Sequence, residues 1–271
     1  MTNSHRSWAG LVPVDDTALA VTDTGGSSTP VVYLNGSYAG QSSWRSVITE
    51  LGSNWRHITF DERARGKSKK SADYSFDACL RDIDAVISAR GVDRPLLVGW
   101  SYGAALALHW GARNSDRIAG AVMVDGGYPW DYLATVKGGR EAGKAHIRKL
   151  FRRYRWAMPI GRLMGNTARM SASEAAEVNI ELNEIVAAGD PVFEKVTFPM
   201  RFIVASGGAL GGSKEGHTAM RSTLDPVLAR NPNVKVSATV TSNHSTVVRK
   251  DFHAIATAVR EVDGIQSRGV Q

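Results

Sequence analysis

The pentapeptide Gly99-Trp100-Ser101-Tyr102-Gly103 sets a serine midway between two glycines. A serine hydroxyl is a poor nucleophile until a base takes its proton. Three further parts are therefore required: a histidine, a carboxylate to orient it, and N–H donors for the oxyanion formed by attack on a carbonyl. The pentapeptide alone is a weak signal. Its surroundings strengthen it, because Leu96-Leu97-Val98 reads as a buried strand and Tyr102–Arg113 as a helix. A serine at such a strand-to-helix turn stands above the sheet edge, where unpaired helix N–H groups favour developing negative charge.

The chain has seven histidines. His5 lies in the N-terminal tail, His57 opens a strand, and His109 falls inside the helix after Ser101. His146 lies in a basic helical segment, His217 past the strand 200–205, and His253 inside the last helical pattern. His244, in Thr241-Ser242-Asn243-His244-Ser245, directly follows the strand pattern Val234–Val240. Loops at the C-terminal ends of strands carry ligand chemistry in open α/β sheets, so His244 is the candidate base.

The elements that must position these residues alternate in the manner of a parallel sheet with crossover helices. Leu11–Val14 and Leu19–Val21, joined at Asp15-Asp16, read as an opening antiparallel hairpin. Val31–Leu34, His57–Phe60, Leu96–Val98 and Ile118–Val124 follow as strands, with a Ser75-capped helix ending at Gly91. Residues 126–198 carry no strand pattern, and Ser171-Ala172-Ser173-Glu174 is a capping box opening a helix to about Val186. The α/β rhythm resumes with Met200–Ala205, a helix near 214–230, Val234–Val240 and a last helix around 248–262. The expected organisation is a core of residues 1–125 and 199–271 with a helical cap at 126–198.

Composition agrees with a soluble enzyme: 43% hydrophobic and 22% charged residues, with one cysteine, Cys79, and hence no intrachain disulfide. Met1–Gly10 lacks a signal-peptide apolar region and no stretch has the apolar length of a membrane span, so a cytoplasmic protein without membrane or nucleic-acid partners is expected. The net charge of +7 is concentrated at residues 137–155. There Arg140, Lys144, Arg148, Arg152 and, one step off, Arg155 recur at helical spacing, opposite an apolar stripe of Ile147, Leu150, Phe151 and Tyr154. A solvated face is the ordinary reading, and an acidic partner the sharper one.

At this point the sequence resembles the α/β-hydrolase superfamily over nearly its whole length. Leu34–Trp44 resembles the oxyanion-loop segment, and Phe60–Ser68 the segment Asp-x-Arg-Gly-x-Gly-x-Ser. Gly99–Gly103 resembles the nucleophile elbow, and Asn243-His244 the family's Gly-His. The resemblance implies the α/β-hydrolase fold: a mostly parallel sheet of about eight strands with an N-terminal antiparallel hairpin, flanked by helices, and a helical cap after the sixth strand.

It also implies an oxyanion hole from the backbone N–H groups of Ser37 and Tyr102, although the family's His-Gly is Asn35-Gly36 here. The family's usual acid position after strand 200–205 holds no carboxylate. A subset of the family places its acid at the end of the preceding strand, where Asp125 stands, and Glu215 and Asp225 remain as alternatives. Dehalogenases and epoxide hydrolases of this fold use an aspartate nucleophile, so Ser101 implies acyl transfer to water instead. Neither metal nor cofactor is implied, and no HExxH-type cluster is present.

The expected activity is cleavage of an ester or thioester through an acyl-enzyme on Ser101. Tyr128, Trp130, Tyr132 and Trp156 are candidate walls of an apolar pocket. An acyl carrier protein or coenzyme A would suit the basic helix, and a monomer or homodimer both fit. The alternative is a non-hydrolytic lyase or cyclase, or a small-molecule binding module, on the same fold.

Overall fold

The computed structural model describes residues 6–156, 168–208 and 213–269. Its centre is an eight-stranded sheet of order β1-β2-β4-β3-β5-β6-β7-β8. The strands are β1 (Trp8–Val14), β2 (Thr17–Asp23), β3 (Pro30–Leu34), β4 (Arg56–Phe60), β5 (Leu96–Trp100), β6 (Gly120–Val124), β7 (Met200–Ala205) and β8 (Val234–Val240). β2 runs antiparallel to β1 and β4, and every pairing from β4 through β8 is parallel.

Parallel strands are covered on both faces, and the side chains divide accordingly. Val32, Leu34, Leu97, Ala121 and Met123 face one core with helices α2 (Phe76–Ala89) and α3 (Tyr102–Arg113). Val31, Tyr33, Leu96, Val98, Val122 and Val124 face a second, covered by α1 (Arg45–Leu51) and by the C-terminal helix Phe252–Gly269. Such alternation, period two along each strand, pins the register. A one-residue slip would exchange the two faces.

Between β6 and β7 the described residues contain helices α4 (Tyr132–Thr135), α5 (Gly139–Arg153) and α6 (Ala172–Ala187), and no strand. α6 opens on a complete capping box of Ser171 and Glu174. Leu133, Ile147, Ala176 and Ile180 form a small core of their own, while Ala175 and Val178 join the main one.

Three sequence expectations need correction. The helix expected near 214–230 is two helices, Lys214–Ser222 and Asp225–Arg230. Pro226 lacks an N–H and would collide with the carbonyl four residues back, so the first helix stops at Ser222. The last helix is likewise divided, into Val247–Lys250 and Phe252–Gly269. On α5 the apolar stripe is only half used: Ile147 is buried and Phe151 partly so, but Leu150 and Tyr154 are 44% and 49% exposed. Residues 147 and 151 lie in line with Gly143 against the neighbouring helix, and 150 and 154 turn away from it.

Candidate active site

Ser101 follows β5 directly, with φ 56° and ψ −112°, and α3 begins at the next residue. The two glycines are required by close approach. A Cβ on Gly99 would strike the Gly103 carbonyl, and one on Gly103 would strike the Leu34 carbonyl. Asp125, the residue directly after β6, also has a positive φ, 42°. Holding two non-glycine residues at positive φ costs on the order of 1–3 kcal/mol each, carried by the surrounding sheet.

Register explains why these residues meet. β5 and β6 pair with Trp100 opposite Val124, so the residues just beyond are neighbours. The Ser101 N–H donates to the Val124 carbonyl at 3.1 Å, and the Asp125 N–H to the Ile203 carbonyl at 2.9 Å. His244 arrives on the loop after β8. Its Nε2 lies 2.9 Å from Ser101 Oγ, and its Nδ1 lies 2.8 Å from Asp125 Oδ2.

Asp125 is buried, and its Oδ1 accepts from the Tyr128 hydroxyl at 3.0 Å and from the Ala205 N–H at 3.2 Å. An ionised carboxylate only accepts, so Nδ1 carries the imidazole proton and Nε2 is left to accept from the serine. That is the orientation a base needs.

The other residues weighed from sequence are placed elsewhere. Glu215 and Asp225 are exposed in the first turns of their helices. His57 is buried, hydrogen-bonded to the Tyr33 hydroxyl and the Gly52 carbonyl. His109 packs edge-on to Phe76, and burial pulls its pKa down to about 4, with Arg113 adding to the shift. His253 faces Glu50 on the surface, His146 is exposed, and His217 lies on the helix Lys214–Ser222. His5 lies outside the described residues.

The aromatic quartet does not form one pocket wall. Tyr128 is buried against Asp125, Trp130 packs on the main core, Tyr132 packs on the small core of Leu133, Ile147, Ala176 and Ile180, and Trp156 is 67% exposed.

Ser37 lies three residues past β3 and Tyr102 two past β5, strands that pair with Leu34 opposite Gly99. Tyr102 is the first residue of α3, so its N–H is among those a helix leaves unpaired. Ser37 is the second residue of a turn closed by the Ala39 N–H donating to the Gly36 carbonyl at 3.0 Å. Asn35, in place of the family's histidine, is fully buried and bonded to Glu62, Phe60 and Trp44.

Ala64 stands where the resemblance expects glycine and keeps the left-handed backbone, with φ 63°. Sequence reasoning passed over Glu62, Arg65, Tyr128 as a donor, and Trp100. The last packs at 5.9 Å between ring centroids on His244.

Residues 29–140 match a family model described as the alpha/beta hydrolase fold. The chain has the α/β-hydrolase fold. The likeness extends to whole structures: the haloalkane dehalogenase DbeA from Bradyrhizobium elkani superposes with a TM-score of 0.73 at 19% identity, over 97% of this chain and 100% of that one. By sequence, the chain is 30% identical over 115 residues to a haloalkane dehalogenase of Mesorhizobium japonicum, covering 42% of this chain and 37% of that protein. It is 32% identical over 103 residues to the N-formylmaleamate deformylase of Pseudomonas putida, covering 37% of this chain and 38% of that protein. The chain thus aligns with well under half the length of these two curated relatives.

Among the described residues no group of three or more His, Cys, Asp or Glu is placed to hold a metal ion, and no helix is long and apolar enough to cross a membrane.

Proposed function

We propose that this α/β-hydrolase cleaves a carboxylic ester or thioester through an acyl-enzyme on Ser101. The observation that carries the reading is the hydrogen-bonded chain from Asp125 through His244 to Ser101, at 2.8 and 2.9 Å. His244 takes the serine proton as Oγ attacks the acyl carbon. The Ser37 and Tyr102 N–H groups receive the oxyanion, and His244⁺ returns the proton to the leaving alcohol or thiol. Water, deprotonated by His244, then releases the acid and restores Ser101.

Some relatives are named dehalogenases, but the nucleophile separates the chemistries. Serine attack on an alkyl halide would leave an ether, which water at this site cannot cleave. Attack on an acyl carbon leaves an ester, which it can. The test is labelling of Ser101 by a fluorophosphonate, with turnover of p-nitrophenyl esters by the wild type and by Ser101→Ala. An unlabelled but folded wild type would overturn the reading in favour of a binding module.

A thioester on an acidic carrier or on coenzyme A is the substrate form favoured by the cap. Arg140 pairs with Asp131, Lys144 with Glu141 and Glu184, and Arg148 with Glu177, so most of the basic face expected from sequence is neutralised. Lys149, Arg152, Arg153 and Arg155 have no acidic partner among the described residues and gather with exposed Trp156 around one surface cavity. This end of α5 adjoins the oxyanion turn, because Phe151 packs on Tyr38 with ring centroids 6.2 Å apart.

A further inference from the structure

The buried carboxylate of Glu62 has no part in the Asp125–His244–Ser101 chain, yet it stands behind the turn that carries Ser37. Its Oε1 accepts from the Asn35 backbone N–H at 2.8 Å, and its Oε2 from Asn35 Nδ2 at 2.9 Å. The rest of Asn35 is also held: Nδ2 donates to the Phe60 carbonyl at 2.7 Å, and Oδ1 accepts from the Trp44 indole at 2.8 Å. On the far side, Arg65 Nε donates to the Ser37 carbonyl at 2.9 Å. The chain is therefore tied before and after Ser37. The turn's own hydrogen bond does not use the N–H of its second residue.

We propose that Glu62 is a positioning residue for the oxyanion turn: by accepting both N–H groups of Asn35, it fixes the entry to Gly36–Ala39 and so the direction of the Ser37 N–H. The role rests on the acyl-enzyme reading above. Both Asn35 groups facing Glu62 are donors, and the ionised carboxylate accepts from both through charge-assisted bonds. Protonation removes the charge and puts an O–H on one oxygen, which weakens that side of the clamp.

The charged group acting on Glu62 is the Arg65 guanidinium, which lies 5.8 Å from the centre of the Tyr102 ring and favours ionisation. The Asn35 amide, its partner from the β3 side, does not titrate. Burial dominates and raises the Glu62 pKa to about 7. The ionised clamp is thus present above that value and lost as pH falls through it.

Glu62→Gln keeps the shape but leaves one acceptor instead of two. The measurement is the rate at which a fluorophosphonate labels Ser101 between pH 5 and 9, with thermal melts as a control for folding. We expect Glu62→Gln to label about tenfold more slowly or worse at pH 8. Its acid limb should lose the Glu62 protonation, so that log rate against pH falls less steeply below about 7 than in the wild type.

Equal rates and equal slopes overturn the role of Glu62 while leaving the acyl-enzyme reading standing. A wild type that is not labelled overturns that reading, and this role with it. Should Glu62→Gln fail to fold, Asn35→Ala removes the side-chain donor and keeps the backbone one. A loss of about three- to tenfold is expected there, and an unchanged rate overturns the role.

Discussion

The indole Nε1–H of Trp100 donates to the backbone carbonyl of His244 at 3.1 Å, across 144 residues of sequence. The same ring lies 3.1 Å from where a Cβ on Gly36 would stand. One side chain, immediately before Ser101, therefore latches the His244 loop and walls the Gly36–Ala39 turn. Trp100→Phe keeps most of the ring and removes the donor. A hydrogen bond of this kind contributes about 1 kcal/mol net, so a fall in kcat of about fivefold is expected on p-nitrophenyl esters. Wild-type kcat in a folded variant would show that His244 is held without it.

Asp125 is the acid that the geometry pairs with His244. Asp125→Asn should lower kcat about 10⁴-fold, the scale seen when a serine hydrolase loses its orienting carboxylate to an amide. Glu215→Gln should leave kcat within about twofold. Steady-state kinetics on both variants decides between the two carboxylates, and the reverse pattern would move the acid to the loop after β7.

Tyr128→Phe removes one of two donors to Asp125 Oδ1, leaving the Ala205 N–H. A buried carboxylate oxygen that loses a partner costs about 1–3 kcal/mol. Denaturant unfolding should show that loss, with kcat falling by a few-fold. A variant as stable as the wild type would mean that water replaces the hydroxyl.

Stability should fall as the solution is acidified below neutrality, through His109. Burial holds its pKa at about 4 in the folded chain, below the ordinary value of about 6.5. Between these values the unfolded chain binds a proton that the folded one refuses, so stability is lost as pH falls from about 6.5 to about 4. Melting temperatures from pH 7 to 4.5 should drop less for His109→Phe, which keeps the packing on Phe76, than for wild type. Parallel curves would remove His109 from the account.

Reversing Arg152 and Arg153 to glutamate should raise KM for a carrier- or coenzyme-A-bound thioester at least tenfold in low salt, with a smaller effect as ionic strength rises. Turnover of a neutral p-nitrophenyl ester should be unchanged. Equal KM values for the thioester would assign these cations to solvent.

The elbow was legible because everything it needs is local: a strand, a serine between glycines, and a helix. His244 was legible from its place after the last strand. Asp125 required the family resemblance, since its adjacency to Ser101 depends on the β5–β6 register, which no local pattern records. Glu62 was invisible for the same reason. It meets Asn35 because β3 and β4 lie side by side, with Val32 opposite Ile58. The basic stripe on α5 gains partners that its own segment does not record. A pattern read along one helix could not see Glu177 and Glu184 on α6, which neutralise Arg148 and Lys144.

Because the partner of His244 stands at the end of β6, the connection from β7 to the helix Lys214–Ser222 is relieved of supplying a carboxylate. Ser206 and Gly207 serve the His244 loop instead: the Gly207 N–H donates to the Ser242 carbonyl at 2.9 Å, and a Cβ on Gly207 would collide with that carbonyl and the Asn243 nitrogen. Under the proposed acyl-enzyme reading, any exchange in this connection aimed at new acyl groups has to keep these two residues, because the loop that carries the base leans on them.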